Sequence, residues 1–186
     1  IVRNPVVTFS TPGNHLAILT ITDANGNTDT DSVYVQVTNY VAPSFISEGF
    51  QGTFLPEGWF LTNPDQGAQW SLSSTVGGYG SSTQSAIFDN YYADSQGSHD
   101  DLNVTFNSLS LTEVNLSFDV AYTPWGGSYS DTLQILISSD CGQSFSQVFS
   151  KGGTTLATAP TLSDYFVPTS NQWRTEEIDL SAYTGE

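Results

Sequence analysis

Residues 116–149 constrain the fold of this chain more than any other stretch, because their apolar residues recur at every second position. Two strands are predicted here. The residues expected on one face are Leu116, Phe118, Val120 and Tyr122 in the first strand and Leu133, Ile135 and Ile137 in the second. A period of two places such residues on one face of a β-strand. A third strand begins near Phe145. The stretch therefore predicts the centre of an antiparallel β-sandwich.

A tight β-hairpin is predicted at residues 138–145, where the sequence reads SSDCGQSF. Gly142 can adopt a positive φ, and the Asp140 carboxylate can accept hydrogen bonds from the amides of the turn. The segment also fits the Asp-box pattern of sialidase propellers. A propeller repeats its blades, however, and a single copy favours a hairpin over a sialidase fragment. Cys141 has no histidine near it in sequence, so we interpret it as a turn residue.

The rest of the chain shows the same period of two with frequent glycine and proline. This pattern predicts an all-β protein with no helix longer than two turns. Residues 102–111 are expected to form a strand with Val104, Phe106 and Leu109 facing inward, and residues 173–180 another alternating strand. Residues 152–160 are expected to form a loop of small residues.

The charge of the chain excludes several classes of partner. Nineteen acidic residues against three Lys and Arg residues give a formal net charge of −16. So few cations exclude binding to the phosphate backbone of nucleic acids and disfavour anionic membrane surfaces. No apolar run predicts insertion into a membrane. The balance suits an exported protein that uses divalent cations to relieve repulsion between its carboxylates.

Three motifs give the larger part of the chain a resemblance to a known family. They are LSFDVAY at 116–122, SDTLQILISSDCGQSF at 130–145 and YTGE at 183–186. In this order they resemble the cleaved-adhesin or choice-of-anchor J domains, distant relatives of MAM domains, in proteins exported by bacteria with a type IX secretion system. The resemblance implies an antiparallel jelly roll over residues 45–186, truncated at its C-terminal end, and a location outside the cell or on the bacterial surface.

The first part of the chain predicts a different sandwich. Residues 16–22 read as a strand, an Asn-Gly turn follows at 25–26, and valines alternate from Val33 to Val37. The stretch resembles the second half of a PKD domain, although His15 stands where the family has an aromatic residue. This resemblance implies the C-terminal half of an Ig-like β-sandwich over residues 1–39, with its other half expected before residue 1. Residues 40–44 are the predicted linker.

The jelly-roll resemblance also implies a structural calcium site. Its expected ligands are the side chains of Glu48, Asp89, Asn90 and Asp119. Three carboxylates that converge would repel one another without a cation, and calcium takes about six to eight oxygen ligands. Zinc would require His and Cys ligands that this chain lacks in suitable spacing. The alternative is that each of these acids is separately solvated.

A candidate ligand surface lies in the loop at residues 122–129, which reads YTPWGGSY. Trp125 and Tyr129 stand among residues that are too small to cover them. Exposed aromatic faces pack against the C–H faces of sugars while polar neighbours bond hydroxyls. The alternative is that Trp125 folds back over the edge of the sandwich.

The residues do not assemble a catalytic triad or a nucleophile elbow. We therefore predict a noncatalytic, calcium-stabilised, extracellular binding or adhesion region of a larger protein. Its expected partners are a polysaccharide or a cell-surface glycoprotein, together with other domains of the same polypeptide. Two alternatives stay open: a structural stalk or spacer, and an accessory region of a secreted metallopeptidase or glycoside hydrolase.

Overall fold

The computed structural model describes residues 6–37, 40–92, 97, 99–126 and 129–185. Its described residues form ten strands, one four-residue helix and two short 3-10 segments, so the predicted all-β fold class is confirmed. The helix is a single turn, within the predicted limit of two turns. The chain divides into two compact units, residues 1–41 and residues 42–186, and this division falls inside the predicted linker.

The strands are short except in the first unit. In chain order they are β1 (Gly13–Thr22), β2 (Thr28–Val37), β3 (Trp59–Thr62), β4 (Ser71–Ser73), β5 (Ser85–Ile87), β6 (Asp101–Val104), β7 (Asn115–Val120), β8 (Thr132–Ile137), β9 (Ser146–Gly152) and β10 (Arg174–Asp179). Helix α1 (Gly153–Leu156) follows β9 directly, and the 3-10 segments are Ser170–Gln172 and Ser181–Tyr183.

The described part of the first unit contains the predicted hairpin. Strands β1 and β2 pair antiparallel in one register from Gly13↔Val37 to Thr22↔Thr28. Asp23 Oδ1 accepts the N–H groups of Asn25 and Asn27 at 2.8 and 2.9 Å, which closes the turn. The apolar side chains along the hairpin are largely exposed, among them Leu16, Ile18, Leu19, Ile21, Val33 and Tyr34.

The second unit is built from four antiparallel pairs: β3 with β6, β4 with β5, β7 with β10, and β8 with β9. Side chains alternate between covered and exposed along β7 and β8, so the period of two predicted for both strands is confirmed. The pairs β7–β10 and β8–β9 bury their apolar faces in one core. Its buried residues are Val114, Ile137, Ile178 and Leu180. Rings from the two pairs meet where Phe118 contacts Phe149 edge to face at 5.5 Å.

Two local predictions were wrong. Strand β6 ends at Val104, and Leu109 is exposed because the chain turns there, with the Leu109 N–H bonded to Asn107 Oδ1. Residues 152–160 are not entirely loop, since α1 occupies Gly153–Leu156. The Leu156 side chain is buried, which explains why this turn of helix forms among poor helix formers.

The loop between β8 and β9 is the predicted hairpin. Asp140 accepts the Ser144 N–H at 2.9 Å, the Ser144 hydroxyl at 2.6 Å and the Ser138 hydroxyl at 2.7 Å. Cys141 and Gly142 both have positive φ, 60° and 80°. The hydrogen bonds, that of the Ser144 hydroxyl first, lower the pKa of Asp140 to about 2. The predicted roles of Asp140 and Gly142 are therefore confirmed.

An ion cluster ties β9, β10 and α1 together. The Glu176 side chain on β10 is only 10% exposed, and its two oxygens accept hydrogen bonds from Lys151 Nζ at 2.8 and 2.6 Å. The Arg174 guanidinium lies 2.8 Å from the same carboxylate. Arg174 also donates to the carbonyls of the last turn of α1, at Thr155, Leu156 and Ala157. The hydrogen bond from Lys151 is the main cause of a lowered pKa of Glu176.

We predict that Glu176→Gln destabilises the second unit, because two cations then face an amide in place of a carboxylate. The cations are about one-third exposed, so the expected loss is about 1–3 kcal/mol, between the values for surface and buried ion pairs. Urea unfolding at pH 7 measures it, and Glu177→Gln, at an exposed position of the same strand, is the matched control.

The pH dependence of the same variant follows from the sign of the shift. A carboxyl whose folded pKa is lowered stabilises fully above its unfolded pKa, about 4.3, and the stabilisation is lost as the pH falls through the folded pKa. The difference in unfolding free energy between wild type and Glu176→Gln should therefore shrink below about pH 4. Equal unfolding midpoints of the two variants at pH 7 would contradict the proposed role of the cluster.

We predict that Ser144→Ala raises the pKa of Asp140 from about 2 toward its ordinary value of 3.8. The variant removes the hydroxyl donor but keeps the Ser144 N–H, so the rise should be partial. Titration of the Asp140 carboxyl by NMR measures it, with the exposed neighbour Ser139→Ala as control. An unchanged pKa would show that the turn does not hold the carboxylate as described.

Candidate functional site

The loop that follows β7 is held against a second loop after α1. Pro124 is buried, and Gly126 has a φ of 55°, a conformation that favours glycine. Hydrogen bonds join the two loops: Thr158 N to Tyr122 O at 2.8 Å, Thr123 Oγ1 to Pro160 O at 2.7 Å, Gly126 N to Leu162 O at 2.8 Å and Leu162 N to Pro124 O at 3.2 Å. The backbone on either side of Trp125 is thus fixed before any ligand arrives.

The structure brings the two predicted ligand-binding aromatics together. The ring centroids of Trp125 and Tyr129 are 5.3 Å apart with an interplanar angle of 60°. Trp125 is 46% exposed and Tyr129 is 67% exposed. The pair, which we call the Trp125 platform, therefore keeps a large part of both rings open to solvent. That it binds a sugar stays a prediction.

A second aromatic group escaped the sequence analysis. Tyr91, Tyr92 and Tyr165, here called the tyrosine cluster, have ring centroids between 4.9 and 5.7 Å apart. Tyr165 OH lies 3.5 Å from Asp89 Oδ2, a long contact. Burial, followed by the nearby Asp89 carboxylate, raises the pKa of the Tyr165 phenol. The adjacent tyrosines at 91 and 92 were a visible signal, but nothing in the sequence indicated their contact with Tyr165.

Each predicted carboxylate ligand of calcium accepts a hydrogen bond from a neighbouring group of the protein. Glu48 accepts the Phe50 N–H, Asp89 accepts the Tyr91 N–H at 3.1 Å, and Asp119 accepts the Thr175 hydroxyl at 2.5 Å. Asn90 is exposed. Within the part of the chain that the structure describes, no three His, Cys, Asp or Glu side chains are grouped so that they could hold a metal ion. The four residues therefore gain no support as one site, and calcium binding stays a prediction.

Two other side-chain oxygens are of interest because they are buried without a hydrogen-bond partner in the described part of the chain. Asn63 Oδ1 and Asp100 Oδ1 are buried and have no hydrogen-bond partner among the described protein atoms. The last pair of the antiparallel β3–β6 ladder is Thr62↔Asp101. Asn63 follows Thr62 and Asp100 precedes Asp101, so the two positions face each other across the end of that ladder. Buried acceptors require a donor, a water molecule or a cation.

The electrostatics of Asp100 agree with this need. Burial is the main cause that raises the pKa of Asp100, and repulsion from Asp65 and then Asp101 raises it further. A cation between these oxygens would remove both the repulsion and the cost of burying a carboxylate. Sequence analysis missed these residues because the register of β3 on β6 decides which loop oxygens meet.

Comparisons with protein-family models, curated proteins and solved structures returned no match. The resemblances to PKD and cleaved-adhesin domains therefore stay predictions. Among the helices that the structure describes, none has the length and apolar character needed to span a membrane.

We predict that calcium raises the melting temperature and that EGTA lowers it, because an ion bound only by the folded state stabilises that state. At a free calcium concentration of about 100 times Kd the stabilisation is about 2.7 kcal/mol. Asp100→Asn should remove this dependence, whereas Asp119→Asn should keep it. If Asp119→Asn removes the calcium dependence and Asp100→Asn keeps it, the result supports the ligands predicted from sequence. Identical melting curves in calcium and EGTA would exclude calcium stabilisation.

Proposed function

We propose that this chain is a noncatalytic binding region of an extracellular or bacterial cell-surface protein, and that it binds a glycan. The single observation that carries the proposal is the Trp125 platform. Two large aromatic side chains stand exposed and in contact, and hydrogen bonds fix the backbone on either side of Trp125.

The chemistry of the platform supports a sugar. The faces of Trp and Tyr rings are apolar, and each side chain carries a polar group at its rim. A pyranose presents apolar C–H faces and hydroxyls in the same arrangement. Because the Trp125 backbone is already fixed, binding orders few additional groups, and this preorganisation favours affinity.

The charge supports a neutral glycan over an anionic one. With a net charge of −16 the chain repels sulfated, uronic or sialylated ligands at long range. The same charge supports an extracellular location with calcium at hand to relieve repulsion. The proposed architecture is the one predicted from sequence, an Ig-like portion followed by a jelly roll, with the glycan site on the jelly roll.

A structural spacer is the second candidate. The division of the chain into two compact units supports it, since a stalk is made of successive units. In that case the Trp125 platform would contact another domain of the same polypeptide. A glycan-binding assay distinguishes the two candidates.

We predict that Trp125→Ala lowers affinity for a glycan bound on a polysaccharide array by at least about tenfold, the loss typical of a central aromatic contact. The ring is half exposed, so the melting temperature should change little. Tyr79→Ala removes an exposed aromatic ring elsewhere and should bind as the wild type does.

Two outcomes would count against this proposal. A wild-type protein that binds nothing on the array would favour the spacer. A large drop in the melting temperature of Trp125→Ala would show that the ring is part of the packed structure and that its exposure does not serve a ligand.

A further inference from the structure

We propose that the Trp125 platform and the tyrosine cluster form one extended surface for a neutral glycan chain of several sugar residues. The inference rests on the proposed function and adds to it the length of the ligand and a second contact region. It is carried by the way the two aromatic groups are connected and by the geometry of the tyrosine cluster.

A four-residue segment, residues 162–165, links the two groups. At one end, the backbone of Leu162 bonds on both sides of Trp125, to Pro124 and Gly126. At the other end, the Tyr165 ring contacts Tyr91 and Tyr92. Three residue steps span at most about 11 Å even when fully extended. The anchor of the platform and the third ring of the cluster therefore lie within the reach of one short oligosaccharide.

The tyrosine cluster presents rings that contact one another and are open to solvent. Tyr91 stands nearly perpendicular to both Tyr92 and Tyr165, at 85° and 88°, while Tyr92 and Tyr165 are inclined by 30°. Such edge-to-face contacts between aromatic rings are favourable. Tyr92 is 79% exposed and Tyr91 44% exposed. The cluster thus offers exposed aromatic surface whose rings support one another.

Polar groups for sugar hydroxyls stand at the same place. The Asp89 carboxylate lies beside the Tyr165 phenol and accepts the Tyr91 N–H at 3.1 Å. A carboxylate has about four acceptor positions, so such a group can accept several hydroxyl donors. Aromatic faces with a few such polar groups are the usual composition of a sugar site.

A glycan chain explains the arrangement better than a small cation. The three ring centroids are at most 5.7 Å apart, so the rings touch and leave no cage between them for a quaternary ammonium group. A small cation could occupy only the outer face of one tyrosine beside Asp89. A chain of sugars would use both aromatic groups, whose anchoring residues Leu162 and Tyr165 are three residue steps apart.

The test is a series of neutral oligosaccharides of one to six residues, from the cello-, xylo- and manno- series, titrated calorimetrically onto the full chain. Wild-type affinity should rise with length. Tyr92→Ala should lose about tenfold in affinity for the longest ligands and keep its affinity for the shortest. Trp125→Ala should weaken binding at every length, and Tyr79→Ala should match the wild type. Because Tyr92 is so exposed, its variant should melt as the wild type does.

Each other outcome overturns the inference in a distinguishable way. If Tyr92→Ala binds every length as the wild type does while Trp125→Ala is weakened, the extended surface is wrong and the proposed function stands. If the wild type binds none of the three series, the neutral-glycan function fails with it. A third outcome is that choline binds, that Tyr92→Ala abolishes choline binding, and that choline leaves oligosaccharide binding unchanged. The tyrosine cluster would then be a cation site.

Discussion

The contact of Lys151 and Arg174 with Glu176 joins β9, β10 and α1 of the second unit. The chain has three Lys and Arg residues against nineteen acids, and two of the three converge on this one carboxylate. Among the residues that the structure describes, Glu176 is the one charged residue that is buried. The chain neutralises this acid with two cations. Placing cations there is physically reasonable, because an unpaired charge costs most where water cannot reach it.

The same cluster reaches as far as the candidate ligand surface. Arg174 holds the carbonyls at the end of α1, and the chain leaves α1 directly into the loop that bonds to Tyr122 and Gly126. The loop that fixes the backbone around Trp125 begins at the end of α1. The ion pair of Arg174 with Glu176 therefore helps to position this loop. A rigid binding surface on loops requires such a support, since loops have few apolar contacts of their own.

What could be predicted from the sequence was local. The alternation in β7 and β8 and the Asp140 turn depend on residues close in sequence, and both are present as expected. Glu176 was not identified, because a buried acid contradicts the apolar pattern and its main partner lies 25 residues away. Tyr165 was missed for a similar reason, since it meets Asp89 across 76 residues. The calcium ligands were chosen by resemblance, and their site stays a prediction.

The acidic composition itself is partly explained by turns and not by ligands. Aspartates accept a backbone N–H two or four residues onward at several loops, namely at Asp23, Asp65, Asp89, Asp140 and Asp179. Aspartate is favoured at such positions because its short carboxylate replaces a backbone acceptor. An all-β chain with many loops therefore accumulates negative charge as a consequence of its fold. Counting carboxylates cannot locate a cation site in such a chain, whereas a buried oxygen without a partner, as at Asn63 and Asp100, marks a place that needs a donor, a water molecule or a cation.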